Sequence, residues 1–269
     1  MAPLPEVIAS RRNPLVRRLR QLHQPRGRRE QGLALLEGTH LVEEVSRLAL
    51  EPRELVATPA WFDAHAALLE GLAGSWRPVA VTPEVLDAVA TTEHPDGVVL
   101  TLPLPTPSWG PARPGLVLAL DALQDPGNLG TLMRTALAAQ VQALWLAEGA
   151  DPLQPKVLRA SAGAALALPT RRCSRAELVD KLNALAGQSA LQVVATLPPH
   201  SGALPYWQLD WRRPTVLLLG QEGAGLAPEL VERATHRVTI PHSAAVESLN
   251  VAVAAAPLLL ERWRQQAES

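Results

Sequence analysis

The stretch DALQDPGNLGTLMRTALAAQ, residues 121–140, decides the interpretation of the second half of the chain. It follows the apolar segment LVLAL and ends in an alanine-rich segment of helical character. Asp, Pro, Gly and Asn between a strand and a helix are typical of a tight turn, in which Asn128 caps the helix and Arg134 lies in solvent. The same residues also suit a ligand-binding loop, so the choice depends on the other motifs of the chain.

Five apolar segments of the second half alternate with helical patterns. The predicted strands are LVLAL, ALWLA, LQVVAT, TVLLLG and RVTI, and the predicted helices are LGTLMRTALAAQ, KVLRASAGAAL, RAELVDKLNAL, APELVERA and SLNVAVAAAPLLLERWRQQ. Strands with apolar residues on both faces, separated by helices, predict an α/β fold with a parallel sheet covered on both sides. Ligands bind beyond the carboxyl ends of such strands. The loops DALQDPGN, TLPPHSG, GQEGAG and PHSAAVES all lie there, which predicts one composite site.

The segment LPLPTPSWGPARPG, residues 102–115, holds five prolines and two glycines and predicts a stiff extended linker. Before it, the helical patterns HLVEEVSRLAL, AHAALLEGL and TPEVLDAVA alternate with the strand-like ELVAT and GVVLTL. The third helix has Thr82 as its cap and Pro83 in its first position. The sequence therefore predicts a smaller α/β domain over residues 1–102, a linker over 103–115 and a larger domain over 116–269.

Composition limits the class of protein. A chain of 269 residues with 47% hydrophobic and 19% charged residues suits a well-packed soluble protein of two domains. It has no apolar run of the roughly 20 residues that span a bilayer. The single cysteine, Cys173, cannot form an internal disulfide and fits the reducing cytoplasm. The scattered histidines and the lone cysteine predict no metal site.

Arginine is concentrated near the N-terminus. Residues 11–29 hold eight arginines and no acidic residue, although the net charge of the chain is only −1. This run has three interpretations: a solvated helix face, an arginine-rich mitochondrial presequence, and a surface that binds nucleic-acid phosphates. The candidate nucleic-acid-binding residues are Arg11, Arg12, Arg17, Arg18, Arg20, Arg28 and Arg29.

Two further stretches carry unusual residues. LLLGQEGAGL, residues 217–226, places Gly220, Gly223 and Gly225 after a strand, but it matches neither the dinucleotide-binding nor the P-loop spacing. In IPHSAAVESLNVAVAAA, residues 240–256, Ser248 is a candidate helix cap. Asn250 interrupts the apolar helix that follows, and there it needs a hydrogen-bond partner if it is buried.

Together, DALQDPGNLGTLMRTA, GADPLQPKVLRASAGAALALP, LLLGQEGAGL and IPHSAAVESLNVAVAAA resemble the motifs of the SpoU/TrmH class of RNA ribose 2′-O-methyltransferases, in the SPOUT superfamily. IASRRNPLVRRLRQL, LALLEGTHLVEEV and TTEHPDGVVL resemble the substrate-binding domain of rRNA-directed members. That second resemblance starts near Ile8, which argues against a cleaved presequence. The resemblance implies a C-terminal SPOUT domain with a parallel sheet and a deep trefoil knot, a smaller N-terminal α/β RNA-binding domain, and a homodimer formed through the C-terminal domain.

The resemblance also implies S-adenosylmethionine as cofactor and assigns site residues. Arg134 matches the arginine to which the family assigns activation of the ribose hydroxyl. A guanidinium scarcely loses its proton, so stabilisation of the forming alkoxide, with bracing of the adjacent phosphate, is its physical role. The other catalytic positions are Asn128, Glu222, Ser248 and Asn250. The cofactor positions are Thr196, Leu197, Gly220, Gln221, Gly223, Ile240, Leu249 and Asn250.

The leading hypothesis is S-adenosylmethionine-dependent methylation of a ribose 2′-hydroxyl in 23S rRNA. The alternatives are a tRNA 2′-O-methyltransferase, a non-catalytic RNA-binding module on a decayed methyltransferase scaffold, and a nucleotide-dependent enzyme that uses the glycine loop. Four positions depart from the family pattern and bear on loop shape and helix geometry: His242, Ala244, Ala252 and Pro257. Of these, Pro257 is expected to kink the last helix.

Overall fold

The computed structural model describes residues 6–187 and 190–267. The helices in these residues are α1 (Pro14–Gln21), α2 (Pro25–Gln31), α3 (Thr39–Arg47), α4 (Pro59–Ala64), α5 (Ala66–Glu70), α6 (Pro83–Val89), α7 (Pro126–Ala138), α8 (Pro155–Ala160), α9 (Ala164–Ala167), α10 (Arg175–Leu185), α11 (Pro228–Glu232) and α12 (Val251–Ala267). The strands are β1 (Leu33–Glu37), β2 (Glu54–Ala57), β3 (Arg77–Ala80), β4 (Val98–Pro103), β5 (Leu116–Asp121), β6 (Ala143–Ala147), β7 (Thr170–Cys173), β8 (Gln192–Thr196), β9 (Leu204–Pro205), β10 (Thr215–Leu219) and β11 (His236–Thr239). No helix among the described residues is long and apolar enough to cross a membrane.

The described residues form two compact units. The first comprises the residues up to Thr106 together with the segment Asp151–Leu166. The second comprises Pro107–Ala150 and the residues from Ala167 onward. The division near Thr106 falls inside the proline-rich segment. The segment Asp151–Leu166 packs with the first unit, whereas the sequence prediction placed it in the second domain.

A four-stranded mixed sheet organises the first unit, in the order β1-β4-β2-β3. Strand β4 pairs antiparallel with β1 and β2, and β3 pairs parallel with β2. Helix α1 begins at Asn13, whose side chain accepts the Leu15 N–H, and buries Leu15, Val16 and Leu19 in the core. Part of the arginine-rich run is therefore the polar face of an amphipathic helix.

An ion pair joins the segment Asp151–Leu166 to the rest of the first unit. Arg28 is only 3% exposed, and its Nη2 donates to Asp151 Oδ2 at 2.6 Å. Its Nη1 donates to the carbonyl oxygens of Leu22 and His23. Because every one of these groups lies inside the unit, Arg28 holds the fold together. The prediction that Arg28 binds RNA is therefore not supported by its position.

A second ion pair reinforces this attachment. Arg159 donates to Glu37 Oε2 at 3.2 Å and to Thr91 Oγ1 at 2.5 Å, while α8 packs against β1. Glu37 is buried and accepts the backbone N–H groups of Thr91 and Thr92. Burial alone would raise the pKa of Glu37, but the hydrogen bonds from Thr92 and Thr91 outweigh it and lower the pKa. Glu37 is thus held ionised for Arg159.

The second unit confirms the predicted parallel α/β fold. Its seven described strands lie in the order β7-β6-β5-β10-β8-β11-β9, and every neighbouring pair is parallel. All residues of β5, β6 and β10 are buried, as the apolar segments predicted. Strands β7 and β9 were not predicted. Strand β10 lies between β5 and β8, and the deep trefoil knot remains a prediction.

The end of the proline-rich segment lies against the second unit. Ser108 N–H donates to the carbonyl oxygen of Thr170, and Trp145 Nε1 donates to that of Trp109. Lys181 Nζ lies 5.6 Å from the centre of the Trp109 ring, so a cation–π contact covers this indole. Helix α10, which carries Lys181, has the predicted limits and begins with a capping box formed by Ser174 and Glu177.

The neighbours Arg28 and Arg29 give a matched test of the buried pair. Arg28→Ala removes the hydrogen bonds that Arg28 donates to Asp151 Oδ2 and to the carbonyl oxygens of Leu22 and His23. The loss of this ion pair should lower the free energy of unfolding by about 3–5 kcal/mol. Arg29 is exposed, so Arg29→Ala should change it by less than about 0.5 kcal/mol. Urea unfolding of both variants measures the difference. Equal small losses would contradict a stabilising role for the Arg28–Asp151 pair.

Candidate active site

The carboxyl ends of β5 and β10 bring two of the predicted loops side by side. These strands pair in parallel with Leu120 opposite Leu219, so the loop that leads into α7 and the glycine loop leave the sheet together. Strands β6 and β7 lie on one side of β5, and β10, β8, β11 and β9 on the other. From β5 the chain thus runs first to strands on one side and then to strands on the other. In parallel α/β sheets, ligands bind at such a topological switch point.

A chain of hydrogen bonds joins three predicted catalytic residues. Asn250 Oδ1 accepts the backbone N–H groups of Ala252 and Val253 at the start of α12. Its amide Nδ2 therefore points outward and donates to Asn128 Oδ1 at 2.9 Å. Asn128 Nδ2 in turn donates to Glu222 Oε1 at 2.5 Å. The capping of α12 by Asn250 thus sets which group donates and which accepts in each of these hydrogen bonds. The last acceptor is the Glu222 carboxylate.

Two sequence interpretations of helix caps are wrong. Helix α7 is capped by Asp125, whose Oδ1 accepts the Asn128 N–H at 2.7 Å, so the Asn128 side chain is not the cap. Helix α12 begins at Val251, and Asn250 caps it, so neither Ser248 as a cap nor Asn250 inside the helix is correct. In both cases the side-chain amide Nδ2 of the asparagine is a donor in the hydrogen-bond chain.

Asp121 ties the glycine loop to the end of β5. Its side chain is 2% exposed, and it accepts the Ala227 N–H and the Arg175 Nε–H, each at 2.9 Å. The hydrogen bond to Asp121 raises the pKa of Arg175. Asp121 therefore fixes where the glycine loop ends. The sequence prediction gave this residue no role, although an acidic residue that closes an apolar strand was the available signal.

The glycine loop is closed by backbone contact. A Cβ on Gly220 would lie 2.0 Å from the carbonyl carbon of Gly225, closer than any side-chain atom can approach. Gly225 has a φ of +67° and donates its N–H to the carbonyl oxygen of Gln221 at 3.0 Å. Gly223 by contrast faces open space. Glycine is therefore needed at Gly220 and Gly225 for the shape of the loop.

One predicted cofactor residue, Thr196, has a buried hydroxyl group that makes no hydrogen bond to any described residue. Thr196 at the end of β8 and Thr239 at the end of β11 each have a buried Oγ1 that makes no hydrogen bond to any described residue. Leu197 N–H donates to the carbonyl oxygen of Val238, which holds these two strand ends together. Unsatisfied buried hydroxyls are costly, so a polar ligand fits here. Thr239 was not predicted.

Arg134 and Ser248 lie outside the hydrogen-bond chain. Arg134 is exposed on α7, and Ser248 is exposed in the loop before α12. Neither side chain makes a hydrogen bond or an ion pair with any residue that the structure describes. Their catalytic roles remain predictions, and the exposed guanidinium of Arg134 is open to an anion.

The four departures from the family pattern leave this site intact. His242 Nδ1 lies 2.8 Å from the carbonyl oxygen of Ile240, and Ala244 is exposed in the same loop. Ala252 contributes its backbone N–H to Asn250. Helix α12 continues past Pro257 to Ala267.

Other forms of catalysis find little support in the second unit. Burial raises the pKa of the Cys173 thiol to about 11, so this residue is no thiolate nucleophile at neutral pH. No group of three His, Cys, Asp or Glu residues within 6–187 and 190–267 is placed to hold a metal ion.

The predicted RNA-binding arginines of the first unit differ in availability. Arg18 pairs with Glu54 at 2.6 Å, and Arg11 Nε donates to the carbonyl oxygen of Glu84. The remaining ones, apart from the buried Arg28, are exposed: Arg12, Arg17, Arg20 and Arg29.

Comparison with known proteins agrees with this architecture. Residues 115–260 match the SpoU rRNA Methylase family, and residues 13–100 match the MRM3-like substrate binding domain. A parallel sheet with three joined polar loops at its carboxyl edge is therefore a SpoU-type methylase domain. The chain belongs to the SpoU rRNA methylase family.

The relatives extend over nearly the whole chain. An uncharacterized tRNA/rRNA methyltransferase of Synechocystis sp. is 44% identical over 96% of this chain and 94% of its own length. A 23S rRNA (guanosine-2′-O)-methyltransferase of Bacillus subtilis is 33% identical over 94% of this chain and 97% of its own. The AdoMet-bound rRNA methyltransferase of Sinorhizobium meliloti superposes with a TM-score of 0.83 at 30% identity, covering 96% of this chain and 97% of that one.

Gly220 and Gly223 provide a matched test of the loop. Gly220→Ala forces its new methyl into the backbone of Gly225 and should lower the free energy of unfolding by about 1–3 kcal/mol. Gly223→Ala meets no atom and should leave stability within about 0.5 kcal/mol of the parent. Thermal and urea unfolding report both changes. A loss as large at Gly223 as at Gly220 would contradict the backbone contact as the cause.

Proposed function

We propose that this protein transfers a methyl group from S-adenosylmethionine to a ribose 2′-hydroxyl of 23S rRNA. The observation that carries the proposal is the hydrogen-bond chain Asn250–Asn128–Glu222, which joins three loops that bear family motifs. Membership of the SpoU family and the relatives named as rRNA methyltransferases support it. A decayed scaffold is disfavoured, because these side chains are not only retained but bonded to one another.

The ends of β8, β10 and β11 are the proposed cofactor site. The glycine loop offers backbone groups without side-chain cover at Gly223, and the buried Thr196 hydroxyl offers an unsatisfied polar atom. When bound, S-adenosylmethionine supplies an electrophilic methyl group on a sulfonium. The residues proposed to hold it are Thr196, Leu197, Gly220, Gln221, Gly223, Ile240, Leu249 and Asn250.

The residues of the chain then have to orient and stabilise the ribose hydroxyl. The guanidinium of Arg134 is proposed to stabilise the oxygen as negative charge develops on it and to brace the adjacent phosphate. Glu222 ends the hydrogen-bond chain with a carboxylate whose position is set by Asn128, so it can accept a hydrogen bond from a substrate hydroxyl. Ser248, exposed in the next loop, is proposed as a further polar contact.

The first unit is proposed to recognise the RNA. Its match to a substrate binding domain and its exposed arginines on α1 and α2 support this division of labour. The substrate is proposed to be rRNA and not tRNA, since the Bacillus subtilis relative that aligns with 94% of this chain is named for 23S rRNA. We propose that the reaction takes place in the cytoplasm, since the relatives that support it are named for ribosomal RNA.

Mapping of ribose methylation tests the function directly. Purified protein with S-adenosylmethionine should methylate one 2′-hydroxyl in a 23S rRNA transcript, and that modification should be missing from cells without the gene. Modification of a tRNA transcript alone would refute the rRNA assignment. Lack of any methyl transfer by folded protein that binds the cofactor would refute the reaction.

Arg134→Ala tests the role of the arginine. Loss of a group that stabilises developing charge should slow single-turnover methyl transfer about a hundred- to a thousandfold. Cofactor affinity, measured by calorimetry, should stay within about twofold, since Arg134 is not among the proposed cofactor residues. Arg233→Ala, at another exposed arginine of the second unit, is the control and should keep full rate. Near-normal turnover of Arg134→Ala would show that the arginine merely lies in solvent.

The exposed arginines predict a salt effect. In the triple variant Arg17→Gln, Arg20→Gln and Arg29→Gln, RNA affinity should fall and its logarithmic salt dependence should become shallower by about two to three units, since each lost phosphate contact removes roughly 0.7–0.9. Arg47→Gln removes an arginine of the same unit that is already paired with Glu44 and should leave the slope nearly unchanged. An unaltered slope in the triple variant would contradict the proposed RNA surface.

We also propose a homodimer through the second unit. Val253 and Leu260 are 62% and 45% exposed on α12, and their spacing of seven residues places them on one face. An exposed apolar face on a helix is suited to a two-fold interface.

Light scattering at micromolar concentration tests the dimer. The parent protein should have twice the mass of the chain, and Leu260→Glu should be monomeric because it places a charge in the interface. Leu204→Glu, at an equally exposed leucine on β9, should remain dimeric. A monomeric parent protein would contradict the proposal.

A further inference from the structure

A cavity of about 360 Å³ lies on the second unit, away from the candidate active site. Its walls come from residues that follow β9 and from the last turns of α12, among them Trp207, Asp210, Arg212, Arg264 and Gln265. Asn250 stands at the other end of α12, whose seventeen residues span about 25 Å at 1.5 Å per residue. None of the proposed catalytic or cofactor residues lines this cavity.

The walls are held by partly buried hydrogen bonds. Gln265 Nε2 donates to the carbonyl oxygen of Leu209 at 2.9 Å, and Gln265 Oε1 accepts the Trp211 N–H at 2.8 Å. The fully buried Trp211 donates its Nε1–H to the carbonyl oxygen of Tyr206 at 2.7 Å. The backbone around Trp207 is therefore fixed to α12, so the walls of the cavity are held in place by the protein itself. Preformed sites lose less entropy on binding.

The side chains at the cavity combine an aromatic face with guanidinium groups. Trp207 is 48% exposed, and the Tyr206 ring meets it in a T-shaped contact with 5.2 Å between the ring centres. Arg212 Nε donates to Asp210 at 2.8 Å, and its Nη groups make no hydrogen bond to any described residue. Arg264 is held differently, because its Nε and Nη2 both donate to Glu261, at 2.9 and 2.6 Å. Arg212 is therefore the arginine of this cavity whose Nη groups can bind an anion.

This combination matches the chemistry of a nucleotide. An indole face stacks on any base, and guanidinium forks bind phosphate oxygens in two-pronged fashion. A cation or an apolar ligand would gain nothing from the Arg212 guanidinium beside the ring. The chain as a whole is poor in aromatic residues, at 3%, so it lacks a platform for many stacked bases. One exposed tryptophan beside an arginine suits a single nucleotide.

We propose that this cavity binds one nucleotide of the RNA substrate that flanks the target, with Trp207 stacked on the base and Arg212 on its phosphate. The length of α12 separates this nucleotide from the methylated one. The site thus adds a sequence-tolerant contact on the catalytic unit to the arginines of the first unit. The inference rests on the proposed function only in taking RNA as the substrate.

The test measures RNA binding and catalysis separately on the full-length protein. The probes are a fluorescein-labelled single-stranded RNA of ten nucleotides and the 23S rRNA transcript. Trp207→Ala should weaken binding of both about tenfold without changing the salt slope, because a stacked base is lost and no charge is removed. Trp207→Phe should restore most of the affinity. Arg212→Gln should weaken binding and make the salt slope shallower by about 0.7.

Matched controls and a catalytic readout keep the outcomes apart. Leu204→Ala and Arg237→Gln, at exposed positions that do not line the cavity, should bind RNA as the parent does. The cavity variants should raise KM for the transcript and leave kcat and S-adenosylmethionine affinity unchanged. Parent-like RNA affinity in both Trp207→Ala and Arg212→Gln would overturn the proposal. So would a change of dimer mass with unchanged RNA affinity, which would assign this face to a second copy of the chain. If the parent protein binds RNA through Trp207 but transfers no methyl group, the proposed function fails and the nucleotide site stands.

Discussion

The site depends on one hydrogen-bond chain whose direction is set by a helix cap. Asn250 must present its oxygen to the first N–H groups of α12, so its amide must donate to Asn128, and Asn128 must donate to Glu222. The two bonds between side chains are exposed, and each is worth at most about 1 kcal/mol by itself. Together they hold three loops from distant parts of the chain in one arrangement. Asp121 adds a buried anchor at the foot of two of these loops, through the Ala227 N–H.

The parallel sheet explains why so few side chains suffice. Buried strands β5 and β10 bring their loops together at one edge, and the tight contact of Gly220 with Gly225 leaves the glycine loop little freedom. Ala122, directly after Asp121, has a φ of +56°, a strained conformation for a residue with a Cβ. The strain lies where the chain turns from the sheet toward α7. Precise placement of loops is what a reaction dominated by orientation and charge stabilisation requires.

Local patterns predicted the centre of the fold and missed its edges. Strands β5, β6 and β10 are apolar on both faces and were predicted, whereas β7, with the sequence TRRC, lies at the sheet edge and carries mostly polar residues. The motifs indicated Asn128, Glu222 and Asn250. They did not indicate that Asp125, and not Asn128, caps α7. The burial of Arg28 could not be predicted, because its partner Asp151 lies 123 residues away. For the same reason the sequence did not indicate that the segment Asp151–Leu166 packs with the first unit.

The most direct test of the account is a double-mutant cycle on the hydrogen-bond chain. Single-turnover methyl transfer to the 23S rRNA transcript is measured for Asn128→Ala, Asn250→Ala and the double variant, at saturating S-adenosylmethionine. If the two asparagines act as one unit that positions Glu222, each single change removes most of the effect and the double variant is scarcely slower than either. If the rate losses of the two single variants multiply in the double variant, the asparagines act independently, and the hydrogen-bond chain is not what organises the site.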